Sequence, residues 1–122
     1  MGVVFIVKSR KTPAMYAEDD PEQYLKYAWR DIRWEEIFHI LGFDMNPYMY
    51  YEDDNIREPS QVEDMRDHIQ AMLDGTYHTM IYVDPAEYEE MKKRFEVLRE
   101  DAVRLLRYFD YYVENEAYFE IW

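Results

Sequence analysis

The sequence predicts an α+β fold in which a small mixed β-sheet of three to four strands packs against three to four helices. Two observations predict this class. Short β-branched and aromatic runs, typical of strands, alternate with longer segments of helical periodicity. The dipeptide Asp-Pro, which places a helix cap before a proline at the first helical position, occurs at residues 20–21 and 84–85. No low-complexity linker interrupts the chain, so we expect residues 1–122 to form a single globular domain.

The first elements are a strand and a helical stretch. The run from Val3 to Val7 is apolar and rich in β-branched residues, which predicts a buried strand. Residues 20–41 have helical periodicity and end before a glycine. Their apolar positions before and after Asp31 lie on different helical faces, however. We therefore favour a break near Asp31 over one continuous helix, although both interpretations stay open.

The middle of the chain is predicted to contain a strand, a helix and a second strand. After a loop, a short strand begins at Pro47. A Ser-x-x-Glu capping box then opens a helix that runs from Ser60 to Asp74. Residues 76–83, with the sequence TYHTMIYV, combine Tyr, Thr, Ile and Val and are predicted to form a strand.

The most regular pattern follows the second Asp-Pro dipeptide. Apolar side chains recur at alternating spacings of three and four residues from Tyr88 to Tyr112, which is a heptad seam. This seam predicts one long helix near residues 85–113. We favour packing of the seam inside the domain, because Ala102 and the tyrosines at its two ends suit irregular packing; a coiled-coil dimer is the alternative. The final residues, 116–122, are predicted to form a strand.

Composition excludes several classes of function. The 27 acidic and 14 basic residues give a net charge of −13, which repels nucleic acid and anionic membranes and attracts basic partners. Cysteine is absent, which excludes disulfides and thiolate metal sites. No apolar run approaches the roughly 20 residues of a membrane span. We therefore expect a cytoplasmic protein that binds neither nucleic acid nor a membrane directly.

Motifs for catalysis, phosphate binding or metal binding are weak or absent in the sequence. Glu36 and His39 have the Glu-x-x-His spacing of di-iron helical bundles, but the second copy that such a site needs is missing. A solvent-exposed carboxylate beside a histidine is the favoured interpretation of this pair. We expect no metal and no cofactor.

The distribution of charge is more informative than its total. Residues 34–56 contain six acids and no base, and residues 108–122 contain four acids, no base and seven aromatic residues. Aromatic side chains anchor protein interfaces, and acids beside them suit a basic groove on another protein. The alternative is that the tyrosines line the core and the acids face water. The predicted partner-binding residues are Tyr48, Tyr50, Tyr51, Glu52, Asp53 and Asp54, with Tyr111, Tyr112, Glu114 and Glu116 as a second group.

The leading hypothesis is a non-enzymatic acidic inhibitor that occupies a basic, nucleic-acid-handling protein partner, as toxin-immunity and phage anti-defence proteins do, with nucleic-acid mimicry as one form of this. One alternative is a self-associating structural or accessory protein, a homodimer that uses the seam at residues 88–112 or an edge strand. A third is a small acid–base or metal-dependent enzyme built around Glu36 and His39.

Overall fold

The structure is a computed structural model that describes residues 5–17, 19–43 and 56–121. Over these residues it has a three-stranded antiparallel sheet and six α-helices, which confirms the α+β class. The strands are β1 (Phe5–Ser9), β2 (Ile56–Arg57) and β3 (Ala117–Ile121). The helices are α1 (Leu25–Ala28), α2 (Trp34–Leu41), α3 (Pro59–Asp74), α4 (Tyr77–Met80), α5 (Pro85–Val97) and α6 (Arg99–Glu114), and a 3₁₀ turn covers Pro21–Gln23. Among the helices of these ranges, none combines the length and the apolar character that crossing a membrane requires.

The central strand of the sheet is β3, with β1 on one side and β2 on the other. Both pairings are antiparallel: Phe5 lies opposite Ile121, and Ile56 lies opposite Glu120. The described part of the sheet is therefore antiparallel rather than mixed. Side chains alternate along β3, so that Phe119 and Ile121 are buried while Glu120 lies on the other face.

The strands predicted at the two ends of the chain are present. The described part of the first one begins at Phe5 and continues to Ser9, and the last one spans Ala117–Ile121. The strand predicted to begin at Pro47 lies outside the described residues.

The break predicted near Asp31 is confirmed, because residues 29–33 separate α1 from α2. The predicted start of α3 is shifted by two residues. Glu58, not Ser60, is the cap: the Gln61 side-chain oxygen accepts the Glu58 backbone N–H at 2.8 Å. Pro59 occupies the first helical position, where its missing N–H is not needed.

The long helix predicted near residues 85–113 is divided in two. Leu98, with φ −102° and ψ 9°, separates α5 from α6. The seam residues face the core on both sides of this break, since Phe95, Leu98 and Ala102 are all buried. The break lets α5 pack against α2 while α6 packs against α3. The heptad pattern thus predicted the buried face correctly and the continuity of the helix incorrectly.

The prediction of a strand at residues 76–83 is wrong. Tyr77–Met80 form the short helix α4, and the chain becomes extended only at Ile81. Tyr77 is buried, with its ring 5.4 Å from that of His68. Strand propensity is realised only where a neighbouring strand offers its backbone, and no strand of the described residues pairs with this segment.

The core is organised around Trp29, which is only 1% exposed. Its ring stacks on Phe109 of α6, with centroids 5.6 Å apart, and meets Phe119 of β3 edge-on at 6.0 Å. Its indole N–H donates a hydrogen bond to the Tyr112 hydroxyl at 3.2 Å. Trp29 therefore joins the sheet to α6 through both apolar contact and a buried hydrogen bond.

A polar contact holds the segment between α1 and α2 against the start of α6. The Asp101 carboxylate accepts hydrogen bonds from the backbone N–H and the side-chain Nε of Arg33, both at 2.9 Å. Arg33 also donates to the Val97 carbonyl at 3.2 Å. These hydrogen bonds from Arg33 lower the pKa of Asp101.

We expect Tyr112→Phe to lower the free energy of unfolding by about 1–3 kcal/mol at neutral pH, because it leaves the buried Trp29 N–H without an acceptor. Burial raises the pKa of Tyr112. Its contribution is therefore complete below about pH 10 and is lost as the pH rises above that value. Urea unfolding between neutral and alkaline pH measures both effects. Tyr111→Phe is the control on the neighbouring, exposed tyrosine, and equal effects of the two variants would contradict the assignment.

We expect Asp101→Asn to lower the midpoint of thermal unfolding at neutral pH. Because the pKa of Asp101 is lowered in the folded protein, its contribution is present above about pH 4 and is lost as the pH falls below that value. The difference in midpoint between the wild type and the variant should therefore shrink in acid. A difference that stays constant from neutral pH into acid would show that the ion pair with Arg33 is not its cause.

Candidate binding surface

The predicted partner-binding residues fall into two groups with different outcomes. The first group, Tyr48, Tyr50, Tyr51, Glu52, Asp53 and Asp54, lies outside the described residues. The second group lies at the end of α6 and in the turn that follows it.

The second group is divided between the core and the surface. Tyr112 has no exposed surface and accepts the hydrogen bond of Trp29, so it cannot contact a partner and its assignment is corrected to the core. Tyr111 is 41% exposed. Glu114 and Glu116 are exposed as well. Three of these four residues therefore remain available for binding.

Tyr111 is part of a larger aromatic surface that the sequence did not reveal. The ring of Tyr16, in the loop after β1, lies 6.4 Å from that of Tyr111. Tyr108 lies one helical turn before Tyr111, and its phenol is close enough to Tyr16 to influence the pKa of Tyr16. We call Tyr16, Tyr108 and Tyr111 the tyrosine patch; its members come from the two ends of the chain.

The carboxylates of Asp20 and Glu22 lie near the tyrosine patch, and the Arg30 guanidinium lies 3.7 Å from Glu22. Asp20 caps the 3₁₀ turn by accepting the Glu22 N–H at 3.0 Å, which fixes this turn beside Tyr16. Burial raises the pKa of Tyr16, and the Tyr111 phenol and the Glu22 carboxylate raise it further. Burial and then Glu22 also raise the pKa of Tyr108. At neutral pH the phenols are thus neutral hydrogen-bond donors, and the negative charge comes from the carboxylates.

Hydrogen bonds to the end of α6 fix the loop that carries Tyr16. The Ser9 hydroxyl donates to the Asn115 carbonyl, and the Thr12 hydroxyl donates to the Asn115 side-chain oxygen at 3.0 Å. Lys11 Nζ donates to the Glu114 carbonyl at 3.1 Å. The two chain segments that form the tyrosine patch are therefore held together before any partner binds.

The acidic segments that lack a base in the sequence have bases beside them in the structure. Lys8 Nζ lies 3.1 Å from the Glu120 carboxylate across the sheet. Arg66 lies 3.6 Å from the Asp110 carboxylate of α6. Outside these segments, Arg30 lies 3.7 Å from the Glu22 carboxylate. By contrast, no ion pair to the carboxylates of Glu114 or Glu116 is found within the described ranges. The base-free interval at residues 108–122 therefore overstates the negative charge of this surface. At the end of α6, the unpaired carboxylates are those of Glu114 and Glu116.

Glu36 and His39, the candidate acid–base or metal pair, are exposed on α2. In the part of the chain that the structure describes, no group of three or more His, Cys, Asp or Glu side chains is arranged to hold a metal ion. The pair instead borders a cleft between α2 and α5.

The surfaces considered for self-association are occupied within one chain. The seam residues Phe95, Leu105 and Phe109 are buried in the core, so a coiled-coil dimer would compete with the folding of the domain. The last strand is the central strand of the sheet and not an edge. Within the described part of the sheet, the edge strands are β1 and β2.

Comparison of the chain with protein-family models, with curated proteins and with solved structures finds no match.

We expect the phenol of Tyr16 to stay protonated near pH 10, where ordinary tyrosines ionise, because burial and nearby negative charge raise its pKa. Phenolate absorbance should therefore follow the same titration curve in the wild type and in Tyr16→Phe until alkaline unfolding begins. A curve that loses one ionising phenol near pH 10 in the variant would show that Tyr16 is more solvated than the structure indicates.

Proposed function

We propose that this protein is a non-enzymatic binding protein that occupies a basic surface of another protein and blocks it. The observation that carries this proposal is the convergence of Tyr16, Tyr108 and Tyr111 with the carboxylate of Glu22 on one surface. Glu114 is exposed on α6, three residues after Tyr111. Most of the chain separates Tyr16 and Glu22 from Tyr108 and Tyr111. Hydrogen bonds to Asn115 fix the loop after β1 to the end of α6.

The chemistry of this surface suits a cationic partner. Tyrosine supplies a large contact area with little loss of conformational entropy, and its ring face attracts Lys and Arg. Carboxylates beside the rings pair with the same side chains and speed the approach of a positively charged protein. Because the tyrosine patch is already fixed in the free protein, less ordering is needed when the partner binds.

A nucleic-acid-handling protein is the class of partner that fits best. Such proteins have basic grooves that neutralise phosphates, and a net charge of −13 lets this protein compete for a groove of that kind. Inhibition of the toxin-immunity or anti-defence type, by occlusion or by mimicry of nucleic acid, is the role we propose.

Affinity capture from the native host tests this proposal. The bait variants are wild type, Tyr111→Ser/Glu114→Gln on the tyrosine patch, and Tyr82→Ser/Glu63→Gln as the matched control. Tyr82 is 89% exposed and Glu63 is exposed, so the control removes one surface tyrosine and one acid elsewhere. Neither pair of substitutions touches the core.

We expect one basic protein to be captured by wild type and by the control, to be lost from the patch variant by at least about tenfold, and to be released by salt. The purified partner should lose its nucleic-acid binding when this protein is added. Equal capture by both variants, or a captured protein whose nucleic-acid binding is unaffected, contradicts the proposal.

A further inference from the structure

A cleft of about 590 Å³ lies between α2 and α5 and shares no residue with the tyrosine patch. Its α2 wall carries Glu35, Glu36 and His39, and its other wall carries Arg94 and Val97 of α5. The volume falls within the range of ligand-binding clefts in proteins. All five of these side chains are exposed, so the cleft opens along its walls to solvent and cannot enclose a small molecule.

The floor of the cleft is apolar. Ile40 and Leu98 line it and are buried, and Val97 beside them is 70% exposed. The Val97 carbonyl accepts a hydrogen bond from Arg33 at 3.2 Å, which holds the last turn of α5 in place. Val97 therefore extends the apolar core outwards into the cleft.

The polar groups around this floor are not used inside the fold. No hydrogen bond or ion pair within the described ranges engages the side chains of Glu35, Glu36, His39 or Arg94. Neighbouring charges differ in this respect: Arg33 is bound by Asp101, and Arg99 lies 3.5 Å from Glu96. The cleft thus combines an apolar floor with two adjacent carboxylates on one wall and a guanidinium on the other.

We propose that this cleft binds an amphipathic helix of a partner protein, with Lys or Arg on the flank that faces α2. Residues of α2 and α5 form its two walls, and an apolar floor between two helices suits the apolar face of a third helix. The apolar stripe of that helix covers Val97 and Ile40, and its basic flank pairs with Glu35 and Glu36. Arg94 pairs with its carboxyl end, where the helix dipole is negative. This inference goes beyond the proposed function, because it concerns a second surface and a partner of defined secondary structure.

A synthetic helical peptide with leucines on one face and lysines on the other is the probe. Its binding is measured by fluorescence anisotropy against wild type, Val97→Ser, Glu35→Gln/Glu36→Gln, and the control Glu63→Gln/Asp67→Asn on α3. The control removes the same two charges at exposed or half-exposed positions. A scrambled peptide of the same composition, without an apolar face, tests the need for a helical stripe.

We expect Val97→Ser and Glu35→Gln/Glu36→Gln each to raise the Kd by about tenfold or more, and the α3 control to change it by less than about twofold. The scrambled peptide should bind more weakly than the patterned one. No binding to wild type, equal weakening by the α3 control, or equal binding of the scrambled peptide overturns the inference. The variant Tyr111→Ser/Glu114→Gln should bind the peptide normally, so that failure here is distinguishable from failure of the proposed function.

Discussion

The burial of Trp29 is the constraint on which the rest of the structure depends. The residue lies in the break between α1 and α2, so its ring is free to turn into the core instead of following a helical face. There it contacts aromatic rings from α2, α6 and β3. A buried indole needs a hydrogen-bond acceptor, and Tyr112 supplies it. The end of α6 that carries Tyr112 also carries Tyr111, whose ring lies 6.4 Å from that of Tyr16 in the loop after β1.

Because the Tyr112 side chain faces the core, the residue before it on α6 must point elsewhere. Tyr111 is turned by about 100° around the helix axis from Tyr112, which directs it towards the loop that carries Tyr16. This rotation between neighbouring residues of the helix explains why Tyr112 lies in the core and Tyr111 at the surface. The tyrosine patch lies beside the core, and the hydrogen bonds of Ser9 and Thr12 to Asn115 hold its two chain segments together.

The sequence predicted the features that depend on local pattern and missed those that depend on neighbours distant in the chain. The heptad spacing identified Phe95, Leu98 and Ala102 as buried, because side chains three and four residues apart lie on one face of a helix. It did not show that the helix breaks at Leu98, because the same spacing continues on both sides of the break. Residues 76–83 have strand propensity, but no strand of the described residues lies beside them to pair with. Likewise, nothing local connects Tyr16 to Tyr111, and only the fold brings them together.

The sequence also does not show which charged side chains the fold brings together. A base-free interval in the sequence predicted a continuous acidic surface, but antiparallel pairing sets Lys8 beside Glu120, and the loop after β1 brings Lys11 to the end of α6. Among the described acids of the two base-free intervals, Glu114 and Glu116 at the end of α6 and Glu35 and Glu36 at the cleft have no ion pair. Phenols whose pKa values are raised add no charge near neutral pH. A net charge of −13 favours basic partners in general. In the proposed function, discrimination among such partners would come from the positions of these carboxylates relative to the rings of the tyrosine patch.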